Sequence, residues 1–155
     1  MSTDPLSLVY HGIAKAMSAD EYLHSLHEAN KIFLNFMPLP DLPVTANPPI
    51  PAKDMPRLSL TPESTTWQSS NSSTGRIDHT VNVKLTGYDT RSVEFYPVVF
   101  HLLKITRQLS LLLNAIDYQD RQHPVHSKGG SASYEHDDER LIWTCTIPIE
   151  LQIYM

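Results

Sequence analysis

The closing stretch of the chain constrains the fold most. From Arg140 to the terminus, Leu141, Trp143, Cys145, Ile147, Ile149, Leu151, Ile153 and Met155 alternate with other residues without exception. A period of two over this length specifies a long β-strand with one face inward. Pro148 lies on the opposite parity and brings no N–H, which predicts a bulge or an edge at that point.

Such a strand needs partners and a covering layer. Residues 77–86 supply a second alternating run: Ile77, His79, Val81, Val83 and Leu85 face one way, until Gly87 breaks the pattern. Arg57 to Thr61 read as a short strand, and Ala132 to Glu135 as another, followed by a turn at His136–Glu139. The cover comes from residues 93–117, where Val98, Leu102, Ile105, Leu109, Leu112 and Ile116 form one apolar stripe at helical spacing. Pro97 fits only the first helical turn, so this helix should begin near Tyr96. Residues 62–76, with Trp67 as their one large apolar side chain, and residues 118–131 read as polar loops.

The front of the chain differs. Residues 4–36 read as helical, starting with an Asp4–Pro5 cap. A Ser18/Glu21 capping box marks a break or a second helix. Leu6, Val9, Ile13 and Met17 stripe the first part, and Tyr22, Leu26, Ala29 and Phe33 the second. Residues 37–56 then hold Pro38, Pro40, Pro43, Pro48, Pro49, Pro51 and Pro56, seven of the chain's twelve prolines. That density excludes a helix or a central strand and predicts an extended connector, either a spacer or a docking segment. The expected class is therefore α+β: a mostly antiparallel four-stranded sheet with one long helix packed on it, preceded by N-terminal helices and a proline-rich connector, all in one domain spanning 1–155.

Chemistry-bearing patterns are sparse. The net charge of −5, with twelve Lys and Arg residues in no cluster, argues against phosphate-backbone binding. Cys145 is the single cysteine, so no internal disulfide is available, and the expected compartment is reducing. No signal-peptide pattern precedes the first helix, and no apolar run approaches the ~20 residues needed to cross a membrane. His24 with His27, and His123 with His126, are spaced like metal-ligand pairs but lack the further ligands a zinc site needs. His136-Asp137-Asp138-Glu139 lacks the glycine and alternate ligands of a calcium loop. With five glycines, no phosphate-cradling loop can be drawn, and no Gly-x-Ser-x-Gly is present. No cofactor or metal is expected, and the expectation is a non-enzymatic binding or assembly protein.

The order of features carries a resemblance. Asp54-Met55-Pro56-Arg57-Leu58-Ser59-Leu60-Thr61 looks like an acidic-x-Pro entry into a first strand. A polar stretch with Glu63, Thr66 and Trp67 follows, then the strand from Ile77 and the central helix. Tyr134-Glu135-His136-Asp137-Asp138, Leu141-Ile142-Trp143 and a closing strand ending Ile153-Tyr154-Met155 complete the series. In this order, residues 54–155 resemble the tail terminator, or tail completion, proteins of long-tailed bacteriophages. The longer, broken N-terminal helical segment and the long connector depart from that pattern. The resemblance implies a virion protein assembled in the host cytoplasm: a homohexameric ring capping the tail tube and meeting the head–tail connector. A sheath protein would be a further partner in a contractile tail, and DNA would pass through the channel without specific binding. Trp67, Arg76, Asp137 and Asp138 are the candidate residues for a partner or self-interface. The alternatives are a neck or head-closure protein, or a small intracellular binding module.

Overall fold

A computed structural model describes residues 4–29, 31–35, 56–69, 75–88, 95–139 and 141–155. The connector thus lies outside the described residues except for Pro56. Helix α1 (Pro5–Ala19) starts as expected: Asp4 caps it, accepting from the Ser7 N–H at 3.0 Å, and Pro5 occupies the first turn. Val9, Tyr10, Ile13 and Met17 form its buried face. The break comes from Asp20 rather than Ser18. Asp20 ends α1 and caps α2 (Glu21–Glu28), accepting from the Leu23 N–H at 3.0 Å. Its Oδ2 also lies 2.7 Å from His101 Nε2, which ties the helix junction to α3 (Phe95–Arg107).

The helical reading to residue 36 is corrected. After α2 the chain enters a short strand, β1 (Phe33–Asn35), parallel to β2 (Arg57–Ser69). The other strands are β3 (Gly75–Tyr88), β4 (Ala115–Tyr118), β5 (Arg121–Lys128), β6 (Ser133–Asp137) and β7 (Ile142–Tyr154). Among the described residues the sheet has seven strands, not four, in the order β1-β2-β3-β7-β5-β4, with β6 also paired to β7. Apart from the β1–β2 pair, every pairing is antiparallel.

The alternating runs set the registers. Leu58, Leu85 and Cys145 make one inward row, Leu60, Val83 and Ile147 the next, and Ile77, Ile153 and Val125 a third. The alternation of β7 slips at its start, where Ile142 rather than Leu141 is buried. Pro148 lies where β7 is locally an edge on one side, as one of the two readings had it. One side of β7 pairs throughout with β3, while the other is shared: β6 covers Ile142–Thr146 and β5 covers Glu150–Ile153. Pro148 falls between those two pairings, where its missing donor costs no ladder bond. The bulge sits in β2 instead, between Pro62 and Ser64.

The two predicted polar loops are largely strand. Residues 62–69 continue β2 although all are exposed, because the backbone ladder to β3 does not require apolar side chains. Residues 121–128 form β5, joined to β4 by a two-residue turn with Gln119 and Asp120 at φ 51° and 60°. The long helix is shorter than predicted. Gln108 N–H is shared between the carbonyls of Lys104 and Ile105, a short α4 (Leu109–Leu112) follows, and Ile116 reaches the core from β4. One contiguous buried cluster runs from Val9 in α1 through α3 to Ile153 in β7.

Candidate functional site

At the start of β7 the core continues outward as a set of aromatic rings. Phe95, buried at the beginning of α3, lies 6.3 Å from Trp143 and 5.8 Å from Tyr96 between ring centres. Tyr96 in turn meets Phe100 at 6.4 Å, Tyr134 at 6.2 Å and Trp143 at 6.5 Å, and Trp143 meets His136 at 4.3 Å. The cross-strand pair His136–Trp143 and the helical i, i+4 spacing of Tyr96 and Phe100 place these rings on one surface. Tyr96, Phe100 and Tyr134 are 46%, 60% and 44% exposed, so the patch is open to a partner. Contiguous exposed aromatic area of this kind marks interaction surfaces. Burial, with smaller contributions from Cys145 and Tyr96, raises the Tyr134 phenol above its ordinary value, so it stays a neutral donor.

Asp138 reaches this patch: its Oδ1 lies 2.6 Å from His136 Nδ1. Asp137 instead closes the β6–β7 turn, accepting from the Glu139 N–H at 3.0 Å. The other two expected interface residues lie at the opposite end of the sheet. Trp67 faces Ile77 across β2 and β3, its ring close over Gly75, and is 57% exposed. Arg76 pairs with Asp78 at 2.8 Å. β7 spans both ends with thirteen residues, a length of roughly 40 Å. The four residues therefore form two surfaces, not one. Tyr96 and Phe100 were missed by sequence reasoning. Their signal was an aromatic pair one turn apart, off the apolar stripe of their helix.

Between the two ends, β3 carries a buried histidine. His79 Nε2 lies 2.7 Å from the Tyr10 hydroxyl and Nδ1 lies 2.7 Å from Thr65 Oγ1. Burial lowers the His79 pKa and pushes Tyr10 up to about 12, so a neutral imidazole sits between two protonated hydroxyls. A cleft of about 250 Å³ opens beside them, with Asp4 at its rim. Asp4 caps α1 through its carboxylate, and both imidazole nitrogens are taken by hydroxyls, those of Tyr10 and Thr65. The arrangement pins α1 to the sheet.

The other candidates serve the fold. Cys145 is fully buried and its thiol is raised to about 11, so it packs as a small hydrophobe on the face its parity indicated. His123, expected in a loop, lies in β5 with its two ring nitrogens near the carbonyls of Tyr154 (3.2 Å) and Tyr118 (3.0 Å). His24 faces Glu28 on α2 at 3.7 Å. Among the described residues no group of His, Cys, Asp or Glu side chains could hold a metal ion.

No protein-family model matches the sequence, and no curated protein matches it. The fold does have a solved counterpart. The chain superposes on one from the virion of a native gene transfer agent (GTA) particle with a TM-score of 0.55 at 8% identity. The match covers 99% of this chain and 100% of that one, so the two share an architecture end to end.

Proposed function

We propose that this chain is a structural virion protein, and within the virion a tail terminator. The observation that supports the reading is the end-to-end likeness to a chain of the gene transfer agent virion, N-terminal helices included. In this reading six copies close a ring on the tail tube, with the head–tail connector on the far face and DNA passing through. A cyclic ring needs two unlike surfaces on each subunit, one meeting the other on the next copy. The hairpin end with Trp67 and Arg76 and the turn with Asp137 and Asp138 are two such surfaces, at opposite ends of β7. The protein has no catalytic role in this scheme, and its net charge of −5 suits a channel that DNA must traverse without sticking.

The test is the symmetry of particle density at the head-proximal end of the tail. Sixfold density fitted by this fold is expected. Twelve copies there, or its presence in the shell or distal tip, would refute the assignment.

A further inference from the structure

The rings at the start of β7 meet charge on two sides, with opposite signs. Along α3, Tyr96 and Phe100 are followed one turn later by exposed Lys104, roughly 12 Å of helix beyond Tyr96. On the other side, the chain from Tyr134 to Glu139 carries Glu135, Asp137, Asp138 and Glu139 and no Lys or Arg. Alternation along β6 puts Glu135 and Asp137 on the opposite face from Tyr134 and His136. Asp138 turns back toward the rings. Its Oδ1 lies 2.6 Å from His136 Nδ1, the His136 ring lies against Trp143, and the Asp138 side chain is 94% exposed.

Tyr96 stands 6.2 Å from Tyr134 and 6.5 Å from Trp143 between ring centres, so these rings touch and leave no slot for a further ring to enter. They present their outer faces instead, with a carboxylate at one end. Aromatic faces carry negative charge density and attract a cation. A guanidinium suits them best: it is planar and weakly hydrated, and it can stack on a ring while its N–H groups fork onto a carboxylate. An ammonium is more strongly hydrated and acts as a point charge. The phosphates of a nucleic acid or an anionic lipid would meet Asp138 with like charge. A purely apolar segment would cover the rings and leave Asp138 without a counter-charge.

We propose that the patch formed by Tyr96, Phe100, Tyr134 and Trp143, with Asp138 at its rim, docks an arginine-bearing segment of another protein. The guanidinium lies over the rings at the β6 side and against the Asp138 carboxylate, and the apolar flank of the segment covers Tyr96 and Phe100. The charge at the two sides gives the segment a direction, because Lys104 repels its arginine from the Phe100 end. The proposal does not depend on the ring reading, although the two share Asp138.

Trp143 reports on its own patch once Trp67→Phe leaves it as the single tryptophan of the full chain. That protein is titrated with acetyl-Gly-Arg-Ala-Arg-Gly-amide, and with peptides in which lysine or citrulline, an uncharged arginine isostere, replaces both arginines. The arginine peptide should shift Trp143 emission saturably. The lysine peptide should bind several-fold more weakly, and the citrulline peptide roughly tenfold more weakly or worse. Asp138→Asn, at so exposed a position, should leave the fold intact and weaken arginine binding roughly tenfold. Tyr134→Ala should weaken it as well, and Tyr134→Phe should restore it, because the ring face and not the hydroxyl makes the contact. Equal binding of the arginine and citrulline peptides would overturn the proposal. Undiminished affinity in Asp138→Asn, or no saturation at millimolar peptide, would overturn it too. Sedimentation of the same variants reads the competing occupant: if Tyr134→Ala and Asp138→Asn dissociate an oligomer of this chain while the arginine peptide does not bind, the patch joins copies and the proposal fails.

Discussion

The two ends of the long sheet are built on different principles. At the hairpin end, β2 and β3 run on past the helices, and residues 62–69 are exposed along their whole length. The backbone ladder holds them, with Trp67 lying over Gly75 and a half-buried ion pair between Arg76 and Asp78. At the start of β7 the exposed rings rest on buried Phe95 and so are continuous with the core. Both ends offer a large exposed aromatic residue, but only one couples it to the packing that holds the domain together. An aromatic side chain at a surface therefore says little by itself; what lies beneath it decides its energetic weight.

Urea unfolding of two truncations gives the largest contrast. Phe95→Ala should cost about 3–5 kcal/mol, because it empties a fully packed site under two other rings, those of Tyr96 and Trp143. Trp67→Ala should cost less than about 1 kcal/mol, since its ring is more than half exposed. Equal losses would erase the distinction between the ends.

The junction between the two ends should respond next. Tyr10→Phe removes the hydroxyl from His79 Nε2 and leaves a buried ring nitrogen without its partner, at a cost of about 1–3 kcal/mol. If Tyr10→Phe unfolds at the wild-type urea concentration, His79 is not holding α1 to the sheet.

Acidification probes the same histidine with a smaller effect. Burial depresses the folded-state pKa of His79 below its ordinary value of 6.5. The unfolded chain therefore takes up the proton first as pH falls. Stability should be intact above that value and decline as pH drops from 6.5 toward the lower folded-state pKa. His79→Gln should flatten this part of the profile. Parallel pH profiles for the two proteins would remove His79 as the cause.

The smallest effect is expected at the hairpin tip. Asp78→Asn breaks the half-buried pair with Arg76 but keeps a polar side chain of the same shape there, and the two side chains remain 28% and 35% exposed, so solvent screens part of the charge interaction. Its melting temperature should match the wild type within error, in both low and high salt. A clear drop would show that the hairpin end relies on more than its ladder.

Much of the architecture was legible in residue order. The periods of β3 and β7 are written in Val81, Val83 and Leu85 and in Ile147, Ile149, Leu151 and Ile153, because a half-buried strand must alternate. The start of α1 was legible in Asp4–Pro5, because caps are local chemistry. Of the candidate site, Trp67, Arg76, Asp137 and Asp138 were visible as residues, but not their division between two distant ends. The strand at 62–69 carried no apolar pattern, since a ladder forms between backbones and asks nothing of side chains that stay in water, and in 121–128 the buried positions are only His123 and Val125, too few to mark a strand. Nor could spacing show that Ile116 reaches the core from a strand: seven residues after Leu109, it continues the helical stripe, although the helix has already ended at Leu112.

The sequence by itself determined the buried faces of α1, β3 and most of β7 and where α1 begins, because those choices depend on neighbours a few positions away. Tertiary structure alone decided how β7 divides one edge between β5 and β6, why Pro148 is tolerated between them, and that Tyr96, Tyr134 and Trp143 share one face. These are contacts between segments far apart in the chain, fixed by strand register and helix packing, which no local period encodes.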